Sequence, residues 1–136
     1  MRSVRLSRCL INRLMTEAQK SPEKEVCGLI GLSGGENMRF YPVENAASEP
    51  DRLFEMDPEG QIEAMRVMRE TGETLFAIFH SHPHAPARPS ATDLAESTYP
   101  EALHLIISLD TKGVLQLAGF RIREGGAEEV ELEMAG

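Results

Sequence analysis

The sequence predicts an α/β layer structure with several hairpins. Three observations carry this. Apolar residues recur at helical spacing in two long segments, about 7–20 and 58–70. EVCGLIGL (25–32), LFAIFHSH (75–82) and LHLIISL (103–109) are apolar runs of strand length bounded by turn residues. The order that results, α-β-β-α-β-α-β-β, lacks the regular alternation of a doubly wound array.

In the first helix Leu10, Ile11, Leu14, Met15 and Ala18 form the apolar stripe. Ser7 is placed to cap it, and Ser21-Pro22 ends it. The N-terminus carries Arg2, Arg5, Arg8 and Arg13 before its first acid, Glu17, and reads as part of this helical segment. It has no long apolar core or small-residue cleavage site, so it does not read as a secretory signal. EVCGLIGL is then a buried strand with Glu25 at its leading edge, and 38–43 is its hairpin partner across the turn at 33–37. Residues 44–56 read as a loop or flap. Asp57-Pro58 opens the second helix, with Asp at the cap and Pro at the first helical position, and Ile62, Met65 and Met68 follow until Thr71-Gly72.

LFAIFHSH is apolar almost throughout, which predicts a central strand. PHAPARP (83–89), with three Pro in seven residues, excludes regular structure. Ser90-Ala-Thr-Asp93 is a capping-box start, and its helix is expected to end near Tyr99-Pro100. LHLIISL is a further buried strand, 110–113 a turn and VLQLAGFRI (114–122) the return strand. The tail alternates only loosely, as VELEM, after Gly125-Gly126.

The chain has 136 residues, 14 Lys+Arg against 22 Asp+Glu, and a net charge of -8. That length fits one domain, 1–136. The acidic balance excludes a charge-driven grip on nucleic acid. Two cysteines, Cys9 and Cys27, make neither a disulfide framework nor a CxxC motif, and read as reduced thiols of a cytoplasmic protein. No apolar run approaches the roughly 18 residues of a membrane span. Neither GxGxxG nor GxxxxGK[ST] is present.

The chemistry concentrates at 80–93. His80 and His82 flank Ser81 at a strand end, so their side chains share a face. Alone they are a weak metal signal and read first as two partly buried histidines with ordinary hydrogen-bond partners. After the Pro-rich loop, Ser90 and Asp93 share one side of a first helical turn, where the helix dipole favours a carboxylate. If the loop folds back, Asp93 completes a His-His-Asp set, which leaves one tetrahedral position of a zinc ion for water. Without the histidines, Asp93 would be a capping acid. Such a site needs a base that is not a ligand. Among the acids, Glu25 stands out because it leads an apolar strand, although a solvated loop residue fits the same position. HExxH and the paired-cysteine deaminase signature are absent. A Cys-His nucleophile would need Cys27 beside His80 or His82, and leaves the SxxD spacing unexplained.

HSHPHAPARPSATD resembles the JAMM motif of the MPN-domain metalloproteases: His-Ser-His-Pro, seven residues between His82 and Ser90, then Ser-x-x-Asp. EVCGLIG resembles the family segment that carries the catalytic Glu, and FEMDP and LHLIISL resemble the short bacterial stand-alone members. The resemblance runs from about Glu25 to Phe120 without a departure at any motif position. It implies the MPN fold, a curved mixed sheet flanked by helices. It implies one zinc ion held by His80, His82 and Asp93, Glu25 as general base and then acid, and Ser90 at the oxyanion. Ser81, on the opposite face, is then structural, Cys27 a small core residue, His84 solvent-facing and His104 packed within its strand.

The resemblance further implies cleavage after the C-terminal Gly-Gly of a ubiquitin-like substrate, and for a short bacterial-type chain a β-grasp sulfur-carrier protein. An extended tail suits a groove beside a strand edge. Residues 44–56 and 83–89, with Arg52 and Arg88, are expected to frame that groove. Two other readings are a non-catalytic MPN scaffold and a zinc hydrolase of small amides without a protein partner. Nothing suggests a membrane or nucleic-acid partner, and exposed edge strands leave room for a homodimer.

Overall fold

The chain's elements follow from their patterns. The computed structural model describes residues 3–95, 99, 102–123 and 126–135. In order they form β1 (Ser3–Ser7), α1 (Arg8–Lys20), β2 (Cys27–Ser33), β3 (Asn37–Val43), α2 (Pro58–Glu70), β4 (Thr74–His82), α3 (Ala91–Ala95), β5 (Leu103–Ser108), β6 (Gln116–Arg123) and β7 (Gly126–Ala135). The seven strands make one mixed sheet in the order β1-β7-β6-β5-β4-β2-β3. β1 with β7 and β4 with β5 are parallel, and the other neighbours are antiparallel.

α1 starts where predicted, with the Ser7 hydroxyl accepting from Leu10 N at 3.1 Å. It buries Leu10, Leu14 and Ala18. α2 starts at Pro58 with the Asp57 carboxylate accepting from Gly60 N at 3.0 Å. β2 and β3 form the predicted hairpin, and β4 is central, between β2 and β5.

Three expectations need correction. The stretch before α1 is a strand, and the loosely alternating tail is its parallel partner. Each is half-exposed and charged, so neither carries an apolar run, and the pairing joins residues at opposite ends of the sequence. β6 begins at Gln116, with Val114 left largely exposed outside it. β2 begins at Cys27, so Glu25 precedes the ladder rather than lying in it. Residues 96–98, 100 and 101 lie outside the described residues, and with them the predicted end of α3. Residues 124 and 125 do as well.

Strand alternation sorts the core into two faces. Ala77 and Phe79 of β4 and Leu103, Leu105 and Ile107 of β5 pack with the α1 stripe. Leu29 and Ile78 pack with Ala64 and Met68 of α2 on the other face. His80, His82 and His104 fall in step with Ile78 and therefore lie on the α2 face. Ser81 falls with Phe79 and lies on the α1 face.

Candidate active site

β4 delivers both histidines into its buried C-terminal end, where His80 is 1 % and His82 2 % exposed. Leu109 N donates to His82 O at 3.0 Å, which carries β5 past this point. The Pro-rich loop then folds back over the strand end. Pro86 O meets His82 Nδ1 at 2.8 Å, and Ala85 O accepts from the Ser108 hydroxyl at 2.6 Å. A carbonyl can only accept, so His82 carries its proton on Nδ1 and turns the Nε2 lone pair inward.

The loop return places α3 against the histidines. The Ser90 amide donates to Asp93 Oδ2 at 2.8 Å, and the Asp93 amide donates to Ser90 Oγ at 3.0 Å, the reciprocal bonds of a capping box. The same Oδ2 lies 3.1 Å from His80 Nε2 and 3.3 Å from His82 Nε2, and the two Nε2 atoms are 3.0 Å apart. Burial opposes ionisation of Asp93, but the bonds from His80, His82 and the Ser90 amide outweigh it and hold the carboxyl well below the usual carboxylate range. Burial lowers the pKa of His80. At His82 burial acts the same way, yet the Asp93 and Pro86 bonds prevail and raise it.

Three acceptor atoms at these separations repel unless protons or a cation lie between them. Ligands about 2.0 Å from a tetrahedral ion sit about 3.3 Å from one another. The observed triangle has edges of that size, so His80, His82 and Asp93 fit a tetrahedral divalent ion. His80 Nδ1 is buried with no hydrogen-bond partner.

Glu25 stands beside this triangle. Its carboxylate, His80 and His82 each bring a ligand atom within 4.8 Å of the others. The residue is 5 % exposed and its Oε1 has no partner. Burial above all, with Asp93 and Asp51 adding and His82 opposing, pushes the carboxyl up to about 7. Its backbone is fixed from both sides. Glu25 N donates to Pro50 O at 2.6 Å, and Asn45 Nδ2 donates to Glu25 O at 3.0 Å. Next to it, Val26 N donates to Ser81 Oγ at 2.8 Å and Val26 O accepts from Ser81 N at 2.9 Å. Ser81 thus works from the opposite face, tying the Glu25 segment to the histidine strand.

Cys27 is paired in register with His80, but its thiol donates to Val43 O at 3.4 Å and burial pushes its pKa up to about 12. A thiol that stays protonated is no nucleophile. His84 is exposed. His104 is buried and faces the site, and burial, aided by the His80 ring, pushes it down to about 4.

Three contributors were not singled out from the sequence as site residues, although Phe54 lies in FEMDP and Ser108 in LHLIISL. Phe54 stacks on the His80 ring, with centroids 4.3 Å apart. Ser108 holds the Pro-rich loop. Asn45 closes the 44–56 loop at its neck: besides Glu25 O it donates to Leu53 O, and its Oδ1 accepts from Ala47 N and Glu55 N. Of the two loops expected to frame a groove, 44–56 supplies Phe54, Glu55 and Met56 to a cavity of about 320 Å³ that touches His80 and Asp93. No residue of 83–89 lines it.

The fold and the family are those of a JAMM-type MPN domain. Prokaryotic homologs of the JAB domain match residues 7–119, and the chain belongs to that family. Solved structures of a JAB1/MPN-domain protein and of a JAMM zinc-site protein, each 22% identical, overlay with TM-scores of 0.57 and 0.55, which shows the same fold. The chain is 35% identical over 97 residues to a desampylase of Haloferax volcanii, covering 68% of each. It is 29% identical over 122 residues to the CysO-cysteine peptidase of Mycobacterium tuberculosis, covering 88% of this chain and 83% of that one. The solution structure of protein DSY2949 from Desulfitobacterium hafniense, 33% identical, overlays with a TM-score of 0.84 over 96% of this chain and 92% of that one.

Proposed function

We propose that the chain is a zinc-dependent peptidase or isopeptidase that cuts the bond after the C-terminal Gly-Gly of a ubiquitin-like, β-grasp sulfur-carrier protein. The observation that carries this is the triangle of His80 Nε2, His82 Nε2 and Asp93 Oδ2 with the Glu25 carboxylate beside it. Those three residues would hold one zinc ion. Bound zinc supplies Lewis acidity, polarising the scissile carbonyl and bringing the pKa of water to about 7.

The chain's own groups do the rest. Glu25 takes a proton from the attacking water and passes it to the leaving amine, a task suited to a carboxyl lifted to about 7. Water attacks directly, so no covalent enzyme intermediate forms. Ser90 Oγ accepts from the Asp93 amide, which leaves its own O–H free to donate to the developing oxyanion. Asp93 is held in place by the Ser90 amide, which donates to its Oδ2 and favours the ionised carboxylate. Phe54 shields the His80 ring from water.

The names of the relatives, a desampylase and a CysO-cysteine peptidase, support a protein-conjugate substrate. Two unpaired cysteines fit a cytoplasmic setting. Among the described residues no helix is long and apolar enough to cross a membrane. The test is mass spectrometry of Gly-Gly-terminated β-grasp carriers bearing C-terminal extensions, incubated with zinc-loaded wild type or Glu25→Gln. Loss of the extension with wild type alone is expected. Equal cleavage by both would remove Glu25 from the mechanism. Stoichiometric zinc without any cleavage would favour the scaffold reading.

A further inference from the structure

We infer that Ser81, the residue between the two histidines, is a positioning residue. Its buried hydroxyl draws the Val26 amide out of the β2–β4 ladder and thereby sets where Glu25 meets the histidines. The effect on turnover rests on the proposed role of Glu25 as the base.

Antiparallel strands exchange two backbone bonds at every second residue pair. Cys27 pairs with His80, and there the ladder of β2 and β4 ends. One step further, Val26 and Ser81 face each other as a bonded pair would, but only half of the backbone exchange is made. Ser81 N donates to Val26 O at 2.9 Å. The return bond, from Val26 N, goes to Ser81 Oγ at 2.8 Å, so the hydroxyl accepts in place of the strand's own carbonyl. Ser81 is fully buried and lies on the face opposite the His80 and His82 rings.

Beyond that point the chain belongs to the loop. Glu25 N donates to Pro50 O, and Glu25 O accepts from Asn45 Nδ2. Both partners lie in 44–56, so these bonds fix Glu25 to the loop. The strand that carries His80 and His82 holds the segment through Ser81. Glu25, two residues before Cys27, comes to the histidine face by alternation. There a carboxylate oxygen and a ring nitrogen of each histidine lie within 4.8 Å of one another. The Ser81 hydroxyl therefore joins the base to the ligand strand from behind. Without it Val26 keeps one backbone bond to β4, and its amide has no acceptor. The segment then follows the loop rather than the strand, and a misplacement of about 1 Å can cost roughly 100-fold in rate.

Two variants separate the bond from the packing: Ser81→Thr keeps the hydroxyl, and Ser81→Val has the same shape without it. Both are loaded with zinc and assayed beside wild type on a Gly-Gly-ending β-grasp carrier with a C-terminal extension. Ser81→Val is expected to fall roughly 10- to 100-fold below Ser81→Thr in kcat, with KM within about 3-fold and zinc stoichiometry unchanged. Equal rates, or loss of zinc in Ser81→Val alone, overturn the assignment. In a Glu25→Gln background, Ser81→Val and Ser81→Thr should differ by less than about 3-fold in single-turnover rate, because the base they place is gone. A fully additive loss overturns it too, since Ser81 would then act on some other group. A further readout needs no cleavage. By NMR, the Val26 amide should exchange its hydrogen about ten times faster or more in Ser81→Val than in Ser81→Thr, with the Glu25 amide signal displaced. Equal exchange rejects the bond and the inference with it. Failure of every protein to cut any carrier would count against the proposed function, while Ser81 is judged by the exchange.

Discussion

Two glutamate side chains are buried at opposite ends of β2 and β4, and they are held in different ways. Glu73, just before β4, has a side chain 6 % exposed. Its Oε2 accepts from the Tyr41 hydroxyl at 2.8 Å and from the Thr71 hydroxyl, with the Arg39 guanidinium at 3.9 Å. Its other oxygen, Oε1, is without a hydrogen-bond partner, as in Glu25, and lies over the bare backbone of Gly31, in the space a Cβ would occupy, so the difference rests on the hydroxyls that hold Oε2. Glu25 is fixed through its backbone, by Pro50 and Asn45, and its Oε1 has no partner. A carboxylate gripped by hydroxyls ties elements together. One anchored only behind its side chain keeps lone pairs available for a proton. The contrast separates a fastener from a reactive group more sharply than burial does, since both are buried.

Glu25→Gln should break the contrast most strongly. The expected loss in kcat is about 10²- to 10⁴-fold, with zinc stoichiometry unchanged by metal analysis. Stability should move the other way. A folded-state pKa near 7, above the ordinary carboxylate value, means the native state holds its proton more tightly than the unfolded chain. The metal-free wild type therefore loses stability as pH rises from about 4.5 to 7, and the ionised side chain costs the fold above that. Metal-free Glu25→Gln should be more stable at pH 8 by roughly 1–3 kcal/mol, with the gain vanishing near pH 4.5, as read by urea denaturation. A variant no more stable than wild type at pH 8 would put Glu25 among the fasteners.

Asn45 is the next place to press. Asn45→Asp keeps an acceptor for Ala47 N and Glu55 N but cannot donate to Glu25 O or Leu53 O. The histidines and Asp93 stand on other elements, so zinc binding should persist. A displaced base should lower kcat by roughly 10- to 100-fold with a smaller change in KM. Loss of zinc, or of KM alone, would make Asn45 a general loop support.

These two residues also mark the limit of what the chain shows before it folds. The His80–His82–Asp93 triangle was legible because His80, His82, Ser90 and Asp93 lie within fourteen positions and each obeys a local rule: strand alternation or a capping box. Both main helices were legible for the same reason, since Ser7 and Asp57-Pro58 cap them locally. Glu25 is 55 residues from His80; its place before an apolar strand made it one candidate among the acids, and only the family resemblance chose it over a solvated loop residue. Asn45 sits in a segment without periodicity, and its four partners are backbone groups that any residues could supply. β1 was missed because its only strand neighbour is β7, at the far end of the sequence, and β7 because its half-exposed, acidic alternation is weak even though it also pairs with β6. Ser3 and Glu131 become partners only when the ends of the sequence meet.

Glu73→Gln should sharpen the comparison from the other side. It keeps the shape but weakens what holds Tyr41, Thr71 and Arg39, and should cost about 1–3 kcal/mol of stability with cleavage of the carrier essentially unchanged. Any pH-dependent loss of activity would contradict the fastener role.

The smallest and most specific effect is a coupling. Gly31→Ala places a methyl group against Glu73 Oε1, with Met68 Cγ 3.3 Å from the new carbon. The carboxylate must shift and strain its bonds to Tyr41 and Thr71, at a cost of roughly 1–3 kcal/mol. In a Glu73→Ala background the colliding oxygen is gone, and only the Met68 contact opposes the methyl. Gly31→Ala should then cost about 1 kcal/mol less than it does in wild type, a non-additivity that a double-mutant cycle by urea denaturation resolves. Additive costs would mean that Gly31 is required by the β2–β4 ladder, whose register shifts between Ile30 and Gly31, and not by the carboxylate above it.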